Sequence, residues 1–116
     1  MRLYRILSVD EWSTARQDGV FHGSPHDVRD GFVHLSGAHQ VAGTLAAHYE
    51  GKSGLVLLVL DGDLLSSLPG IVLRWETSRD GADFPHLYGA LPVSAVLAAT
   101  PLALDADGVH VLPALT

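Results

Sequence analysis

Cysteine is absent from this chain of 116 residues, and lysine occurs only once. Without thiols the protein can form neither disulfides nor thiolate metal sites, which is typical of a cytoplasmic protein. Long apolar runs are also missing, because the longest, Leu55 to Leu60, is far shorter than the ~20 residues that cross a bilayer. No signal-peptide pattern begins at Met1. We therefore expect a soluble, cytoplasmic protein with no membrane partner.

Positive charge is scarce in this sequence. Thirteen acidic residues stand against seven Lys and Arg residues, so the formal net charge is −6. Sequence-independent binding of RNA or DNA depends on clustered basic residues, and we therefore expect no nucleic acid partner. A small nucleotide-like or phosphorylated ligand is compatible with this charge, because two or three local arginines are enough to hold a phosphate.

Composition and length predict one folded domain over residues 1–116. Hydrophobic residues make up 47% of the chain and charged residues 17%, which is typical of a globular protein. A chain of this length can bury one core but not two independent ones. The hydrophobic patterns predict two main helices and six or seven strands. This content indicates an α+β fold with a strongly curved, mostly antiparallel sheet.

Three patterns in the sequence are well defined. Leu3 to Leu7 predicts a first strand, and Ser8 followed by Glu11 has the spacing of a capping box. The helix should therefore run from about Val9 to Gln17. Gly54 to Leu60 is continuously apolar, which predicts a central strand covered on both faces.

The remaining segments give weaker patterns. Val20 to Arg29 contains glycine and proline without clean periodicity, and we expect a loop. Ser36 is a good N-cap residue for a helix from Gly37 to Glu50, so its loss should cost about 1 kcal/mol. Val96 to Leu102 and Val109 to Leu112 predict two closing strands that form a hairpin.

The most site-like feature is a histidine at the end of a short strand. Alternation along the segment Asp30 to Ser36 sends Val33 and Leu35 to the core, and Phe32 and His34 to the other face. An imidazole then lies beside an aromatic ring, with its edge open to a cleft. The alternative is an ordinary structural histidine.

Two further predicted strands carry polar side chains on one face. Arg74 and Glu76 share a face of the strand from Ile71, and His86 and Tyr88 share a face of a later strand. Together with His34 they could form one pocket, in which arginine and histidine bind phosphate, tyrosine stacks on a ring and the carboxylate accepts from ribose hydroxyls. The alternative is that Arg74 and Glu76 simply pair on a solvated face.

Seven histidines in a chain of this size raise the question of a metal site. The pairs His22 and His26, and His34 and His39, do not lie on one predicted helix with a carboxylate as third ligand. We therefore predict no metal site. Nucleophilic catalysis is disfavoured as well, since there is no cysteine and no serine in a nucleophile-elbow pattern.

Much of the chain, from Leu3 to about Pro101, resembles the bacterial domain-of-unknown-function family 952. The segments that carry the resemblance are Gly31–Ser36, Leu55–Asp61, Leu73–Glu76 and Phe84–Gly89. That family is similar to the ADP-ribosyltransferase fold, a split and curved antiparallel sheet that binds NAD in a cleft. The resemblance thus implies this architecture, with NAD as a substrate and no other cofactor.

Within that superfamily the sequence is most similar to the RNA 2′-phosphotransferases. Val33-His34-Leu35-Ser36 matches one of their motifs residue for residue, and Leu3-Tyr4-Arg5 matches another except that Arg5 replaces a histidine. That histidine would have contacted the ribose of NAD. No glutamate stands where ADP-ribosyltransferases keep theirs, so the catalytic part of the resemblance is incomplete.

The resemblance implies NAD cleavage or ADP-ribosyl transfer through an oxocarbenium-like transition state. His34 and Arg5 would hold ribose or phosphate, and Tyr88 would stack on nicotinamide. Arg74 and His86 complete the expected binding residues.

His34 and Glu76 are the candidate catalytic residues. One alternative is a non-catalytic module that binds a small phosphorylated ligand or a partner protein. Another is an acid-base enzyme for an unrelated substrate, with His34 as the base and Glu76 as the carboxylate that orients it.

Overall fold

Three antiparallel sheets and four α-helices make up the chain in a computed structural model that describes residues 1–78 and 81–115. The strands of the described residues are β1 (Arg2–Ser8), β2 (Val20–Phe21), β3 (Val33–His34), β4 (Leu55–Asp61), β5 (Val72–Thr77), β6 (Asp83–Tyr88), β7 (Leu91–Pro92) and β8 (Val96–Leu102). The α-helices are α1 (Val9–Asp18), α2 (Pro25–Asp30), α3 (Val41–His48) and α4 (Gly62–Ser67), with 3₁₀ turns at Ala38–Gln40 and Val93–Ala95. The expected α+β class with antiparallel strands is confirmed. The described residues form eight strands and four α-helices, where the sequence patterns predicted six or seven strands and two main helices. In the described ranges no helix has both the length and the apolar character of a membrane span.

The central strand of the first sheet is β4, which pairs with β1 on one side and β8 on the other. Its side chains alternate between two hydrophobic clusters, with Leu58 and Leu60 in one and Leu55 and Leu57 in the other. A strand that is covered on both faces requires this unbroken apolar run. The central strand predicted from the sequence is therefore confirmed.

The third sheet brings together the polar side chains predicted to share a face. Its strand order is β3-β6-β5, and His86 lies opposite both His34 and Arg74. Directly paired residues of antiparallel strands point to the same side, as do residues two apart in one strand. Glu76 and Tyr88 therefore join His34, Arg74 and His86 on one face. Val33 and Leu35 lie in the core on the opposite face, as predicted.

Helix α1 begins with the capping box predicted for it. The backbone N–H of Glu11 donates to Ser8 Oγ at 3.0 Å, and the N–H of Ser8 donates to Glu11 Oε1 at 3.0 Å. The helix ends at Gly19, which has a φ of 81° in the left-handed region that glycine adopts without strain. Both ends of this helix are confirmed.

The prediction of a loop over Val20 to Arg29 is wrong, since the segment contains β2 and most of α2. Pro25 occupies the first position of α2, where its missing N–H and fixed φ are favourable. Asp27, three residues after Ser24, accepts a hydrogen bond from the Ser24 N–H at 2.7 Å. These are helix-start features, but a helix of six residues is too short to show hydrophobic periodicity.

The prediction that Ser36 caps a helix from Gly37 to Glu50 is also wrong. The Ser36 backbone instead exchanges two hydrogen bonds with Tyr4 on β1, and its hydroxyl lies 3.1 Å from Thr44 Oγ1. The following helix begins as the 3₁₀ turn and continues as α3, which ends at His48. The local sequence around a serine at the end of a strand is the same whether the serine caps a helix or pairs with another strand.

The closing hairpin is only partly present. The turn forms as predicted, because the Gly108 N–H donates to the Asp105 carbonyl at 3.0 Å. The predicted strand from Val109 to Leu112 is wrong, since only His110 forms an isolated bridge, with Leu104.

The two serines give a direct test of their different roles. Asparagine is as good an N-cap as serine, so Ser8→Asn should leave the free energy of unfolding nearly unchanged, whereas Ser8→Ala should lower it by about 1 kcal/mol. At the buried Ser36 the larger amide must fit against Tyr4 and Thr44, and Ser36→Asn should cost about 1–3 kcal/mol. Urea denaturation measures all three variants. Equal effects of asparagine at the two positions would contradict the assignment.

Candidate functional site

A cleft of about 910 Å³ lies between α2, α3 and residues of β1, β3 and β6. This volume is within the range of small-molecule binding sites, which are about 300–1,000 Å³. The polar residues of α2, α3 and β3 that line it, with the serine before α2, are Ser24, His26, Asp27, Arg29, Asp30, His34, Thr44 and His48. Three imidazoles and two carboxylates are therefore among the polar groups of this part of the wall.

A buried ion pair underlies this wall. Nη1 of Arg5 on β1 donates to Asp27 Oδ1 on α2 at 2.8 Å, and the two side chains are only 8% and 2% exposed. Arg5 also donates to the His34 carbonyl at 2.9 Å and to Ser24 Oγ at 2.9 Å. Buried charges require such complete pairing, because each loses its hydration shell. Arg5 therefore joins the first sheet to α2 and β3.

Asp27 is the acceptor that orients His34. Its Oδ1 accepts from the His34 backbone N–H at 2.9 Å and lies 2.7 Å from Nδ1 of the His34 ring. Burial alone would raise the pKa of Asp27, but hydrogen bonds from His34 and Arg5 and the charge of Arg5 outweigh it and hold the pKa well below its usual range. The carboxylate is thus ionised, and it favours a proton on Nδ1. Nε2 lies at the opposite edge of the ring.

Three potential metal-ligating or acid-base groups meet at this edge. Nε2 of His34 lies 2.9 Å from Asp30 Oδ2, and Nε2 of His26 lies 3.4 Å from the same oxygen. Desolvation tends to raise the pKa of Asp30, but hydrogen bonds from Arg29 and His34 outweigh this effect, and the pKa is lowered overall. The pKa of His26 is lowered by burial first and by the neighbouring His34 second. Two histidines and one carboxylate therefore share one corner of the cleft.

An aromatic ring separates this corner from the rest of the sheet face. The Phe32 ring stacks on His86 with centroids 3.9 Å apart, and its centroid lies 4.6 Å from that of His34. Phe32 and His34 were predicted to share a face, and these contacts confirm it. The stack fixes both imidazoles laterally, since neither ring can rotate without losing contact area.

Glu76 lies in a second polar cluster, beyond Phe32. Its Oε1 accepts from the Tyr88 hydroxyl at 2.6 Å and lies 2.9 Å from His86 Nδ1. These hydrogen bonds, Tyr88 first and His86 second, lower the pKa of Glu76, and the bond to Glu76 raises the pKa of Tyr88. The guanidinium of Arg74 lies 5.8 Å from the centre of the Tyr88 ring.

The residues predicted for the site fall into two groups, of which only one lines the cleft. Among the described residues, the cleft is lined by Arg5, His34 and His86 but not by Arg74, Glu76 or Tyr88, although all except Arg5 share one sheet face. The expectation that Glu76 orients His34 is corrected, because the carboxylates that contact the His34 ring are those of Asp27 and Asp30.

Sequence reasoning missed the acidic and imidazole groups of α2. Ser24 and Asp27 have the same three-residue spacing as the capping box of α1, which marks a helix start. His26 and Asp30 are four residues apart and share a helix face once that helix is recognised. Both signals were present in the sequence but lay inside the segment interpreted as a loop.

Fold and site together define a small α+β protein of antiparallel sheets, with a cleft walled by histidines and carboxylates. The family described as "Protein of unknown function (DUF952)" matches residues 6–99, and the chain belongs to this family. The expected family membership is therefore confirmed. None of the curated proteins matches the chain.

Solved structures of one bacterial protein are similar over nearly the whole chain. The crystal structure of protein CC0527 from Caulobacter crescentus is 46% identical, covers 97% of this chain and 95% of that chain, and has a TM-score of 0.87. The solution NMR structure of CC0527 is 46% identical over 93% of this chain and 90% of that chain, with a TM-score of 0.81.

Proposed function

We propose that the cleft binds a small phosphorylated ligand with a planar ring, of the size and chemistry of NAD, and that His34 is its central contact. The observation that carries this proposal is the orientation of His34. Buried Asp27 holds Nδ1 at 2.7 Å, so that the opposite edge of the ring faces a cleft of about 910 Å³. A histidine fixed in this way is ready to donate to, or accept from, a bound group.

The cleft contains groups suited to both parts of such a ligand. Arg29 is exposed at the rim, and its planar guanidinium can hold a phosphate through two hydrogen bonds. His48 on α3 also lines the cleft, with its ring centroid 6.3 Å from that of His26, and supplies a further donor. Phe32 and Phe84 give an apolar surface for a ring. Because these groups come from four segments of the chain, the fold and not a single loop sets their spacing.

The proposed reaction is cleavage of the nicotinamide–ribose bond of NAD. The bond between the nicotinamide nitrogen and ribose C1 breaks, and water adds at C1 and releases a proton, to give nicotinamide and ADP-ribose. The ribose carbon carries developing positive charge, which the ionised carboxylate of Asp30 could stabilise at the cleft. The resemblance to ADP-ribosyltransferases supports this reaction, as does the position of the Val33-His34-Leu35-Ser36 motif at the cleft.

A second candidate is a binding module without catalysis. Arg5 stands in place of the histidine that the resemblance assigns to ribose, and its guanidinium is already paired with Asp27, Ser24 and the His34 carbonyl. A side chain that is 8% exposed and donates to four acceptors, of which the Ile6 carbonyl is the fourth, is not free to hold a substrate. This observation favours a cleft that has kept binding and lost the reaction.

Thermal denaturation in the presence of NAD, ADP-ribose, nicotinamide or inorganic phosphate tests ligand binding. A ligand at about 100 times its Kd stabilises the folded state by about 2.7 kcal/mol, which raises Tm by several degrees in a domain of this size. We expect NAD or ADP-ribose to raise the Tm of the wild-type protein and to leave that of His34→Ala unchanged. His22→Ala is the matched control, because His22 is exposed and lies outside the cleft lining.

A chromatographic assay of nicotinamide release from NAD distinguishes the two candidate functions. Release that depends on His34 supports the enzyme, and a Tm shift without release supports the binding module. If neither NAD nor ADP-ribose changes Tm at millimolar concentration, the proposed function is wrong. Both measurements are made with a chelator present, so that their outcome does not depend on added metal ions.

A further inference from the structure

His26, Asp30 and His34 place three donor atoms in one corner of the cleft. The ring nitrogens and the carboxylate oxygen all lie within 4.8 Å of one another. Two of the residues are four apart on α2, and the third lies on β3. We infer that these three side chains bind a divalent transition metal ion of the zinc type. This site goes beyond the proposed function and does not rest on it.

The two distances from the carboxylate oxygen to the imidazoles agree with coordination by a single ion. Nitrogen and oxygen ligands at about 2.1 Å from zinc lie about 3.0 Å apart at a right angle and about 3.4 Å apart at the tetrahedral angle. Asp30 Oδ2 lies 2.9 Å from His34 Nε2 and 3.4 Å from His26 Nε2. The carboxylate oxygen is therefore already at ligand spacing from both imidazoles.

His34 has the outer contacts of a metal-binding histidine. Metal-bound histidines usually donate their other ring N–H to a carboxylate, which fixes the ring and the tautomer. Asp27 provides this carboxylate at 2.7 Å from Nδ1 and is itself held by Arg5. With the proton on Nδ1, the Nε2 lone pair faces the lone pairs of Asp30 Oδ2. Two such atoms 2.9 Å apart need a proton or a metal ion between them.

His26 can become the third ligand if Arg29 releases it. Nη2 of Arg29 lies 2.8 Å from His26 Nδ1, and because arginine can only donate, Nδ1 is the acceptor in this state. Binding of an ion at Nε2 moves the ring proton to Nδ1, which ends this hydrogen bond. The Arg29 side chain is 69% exposed and can move into solvent. Arg29 therefore competes with the metal ion, through this bond and through its charge.

The donor set indicates the class of ion. Two imidazoles and one carboxylate are typical of catalytic zinc and of non-haem iron(II), whereas magnesium and calcium prefer oxygen donors alone. Three protein ligands leave at least one coordination position open. That position faces the cleft, which all three residues line. The bound ion would accept water or a ligand oxygen there.

Calorimetric titration of the chelator-treated protein with Zn²⁺ alone tests the site. We expect one saturable ion per chain. Loss of an outer carboxylate typically weakens metal binding by about 10–100-fold, and loss of a ligand should do no less, so His26→Ala and Asp30→Ala should each raise Kd at least tenfold. His22→Ala and His39→Ala are the matched controls, since these exposed histidines lie outside the cluster, and they should bind as wild type does.

Arg29→Gln gives a readout that a merely structural cluster would not give. Removing the competing guanidinium should tighten Zn²⁺ binding, while the variants of His26 and Asp30 weaken it. Far-UV circular dichroism confirms that each variant is folded, which is expected because all three side chains are at the surface. Absence of saturable binding, or equal Kd values for wild type and both ligand variants, would overturn the inference. A negative result here leaves the nucleotide proposal untouched, since that test is run with chelator.

Discussion

Asp27→Asn is expected to lower the free energy of unfolding by about 3–5 kcal/mol, because it breaks one side of a buried ion pair. The amide keeps the shape of the carboxylate but leaves the Arg5 charge buried without a counter-charge. It also weakens the hydrogen bonds that the backbone and ring of His34 make to Oδ1. Since domains of this kind are stable by about 5–15 kcal/mol, the loss should be large in urea denaturation.

The acid dependence of the same variant gives an independent check. The pKa of Asp27 is depressed in the folded state, so its contribution is present above the unfolded pKa and is lost as pH falls through the folded value. The difference in stability between wild type and Asp27→Asn should therefore shrink steadily below about pH 4. Asp63→Asn is the control, because Asp63 is an exposed partner of the amino terminus and should change stability little. A difference that stays constant down to pH 2 would contradict the role of Asp27.

Gly89→Ala should also destabilise the protein strongly. Gly89 follows β6 with a φ of 122°, and a Cβ built there would lie 2.6 Å from Ile71 Cγ2. The backbone strain costs about 1–3 kcal/mol, and the steric overlap adds a cost of similar size. Gly19→Ala is the matched control, since Gly19 has a φ of 81° but no atom within 4 Å of the added carbon. The two variants are compared by urea denaturation, and equal losses would show that the contact with Ile71 is relieved at no cost.

Local sequence patterns were sufficient to predict the elements whose structure depends mainly on residues close in sequence. The run at β4 is apolar because both faces are covered, and the Ser8 and Glu11 capping box involves only neighbours in sequence. The alternation around His34 correctly predicted that Val33 and Leu35 are buried. In each case the physical cause lies within a few residues of the pattern.

The cleft could not be assembled in the same way, because distant residues determine it. Asp27 is ionised in the interior because His34 and Arg5 both donate to it. Arg5 is 22 positions away in the sequence, and no local pattern around Asp27 predicts that partner. Ser36 was misassigned for the same reason, since its partner is Tyr4 on β1. Alternation did place Glu76 on the same sheet face as His34, but alternation does not measure distance along the face. Phe32 and His86 lie between them.

The two backbone hydrogen bonds between Tyr4 and Ser36 have a thermodynamic consequence for any ligand that binds in the cleft. They extend the edge of β1 with the segment that follows His34, and the guanidinium of Arg5 ties down the carbonyl of His34 itself. The floor is thus ordered when the chain folds, and its conformational entropy is lost at that point and not when a ligand arrives. Ligand binding then costs only the conformational entropy of exposed side chains at the rim, such as Arg29. The backbone at the base of the cleft is therefore preorganised, whereas the side chains at its rim can adapt to a ligand.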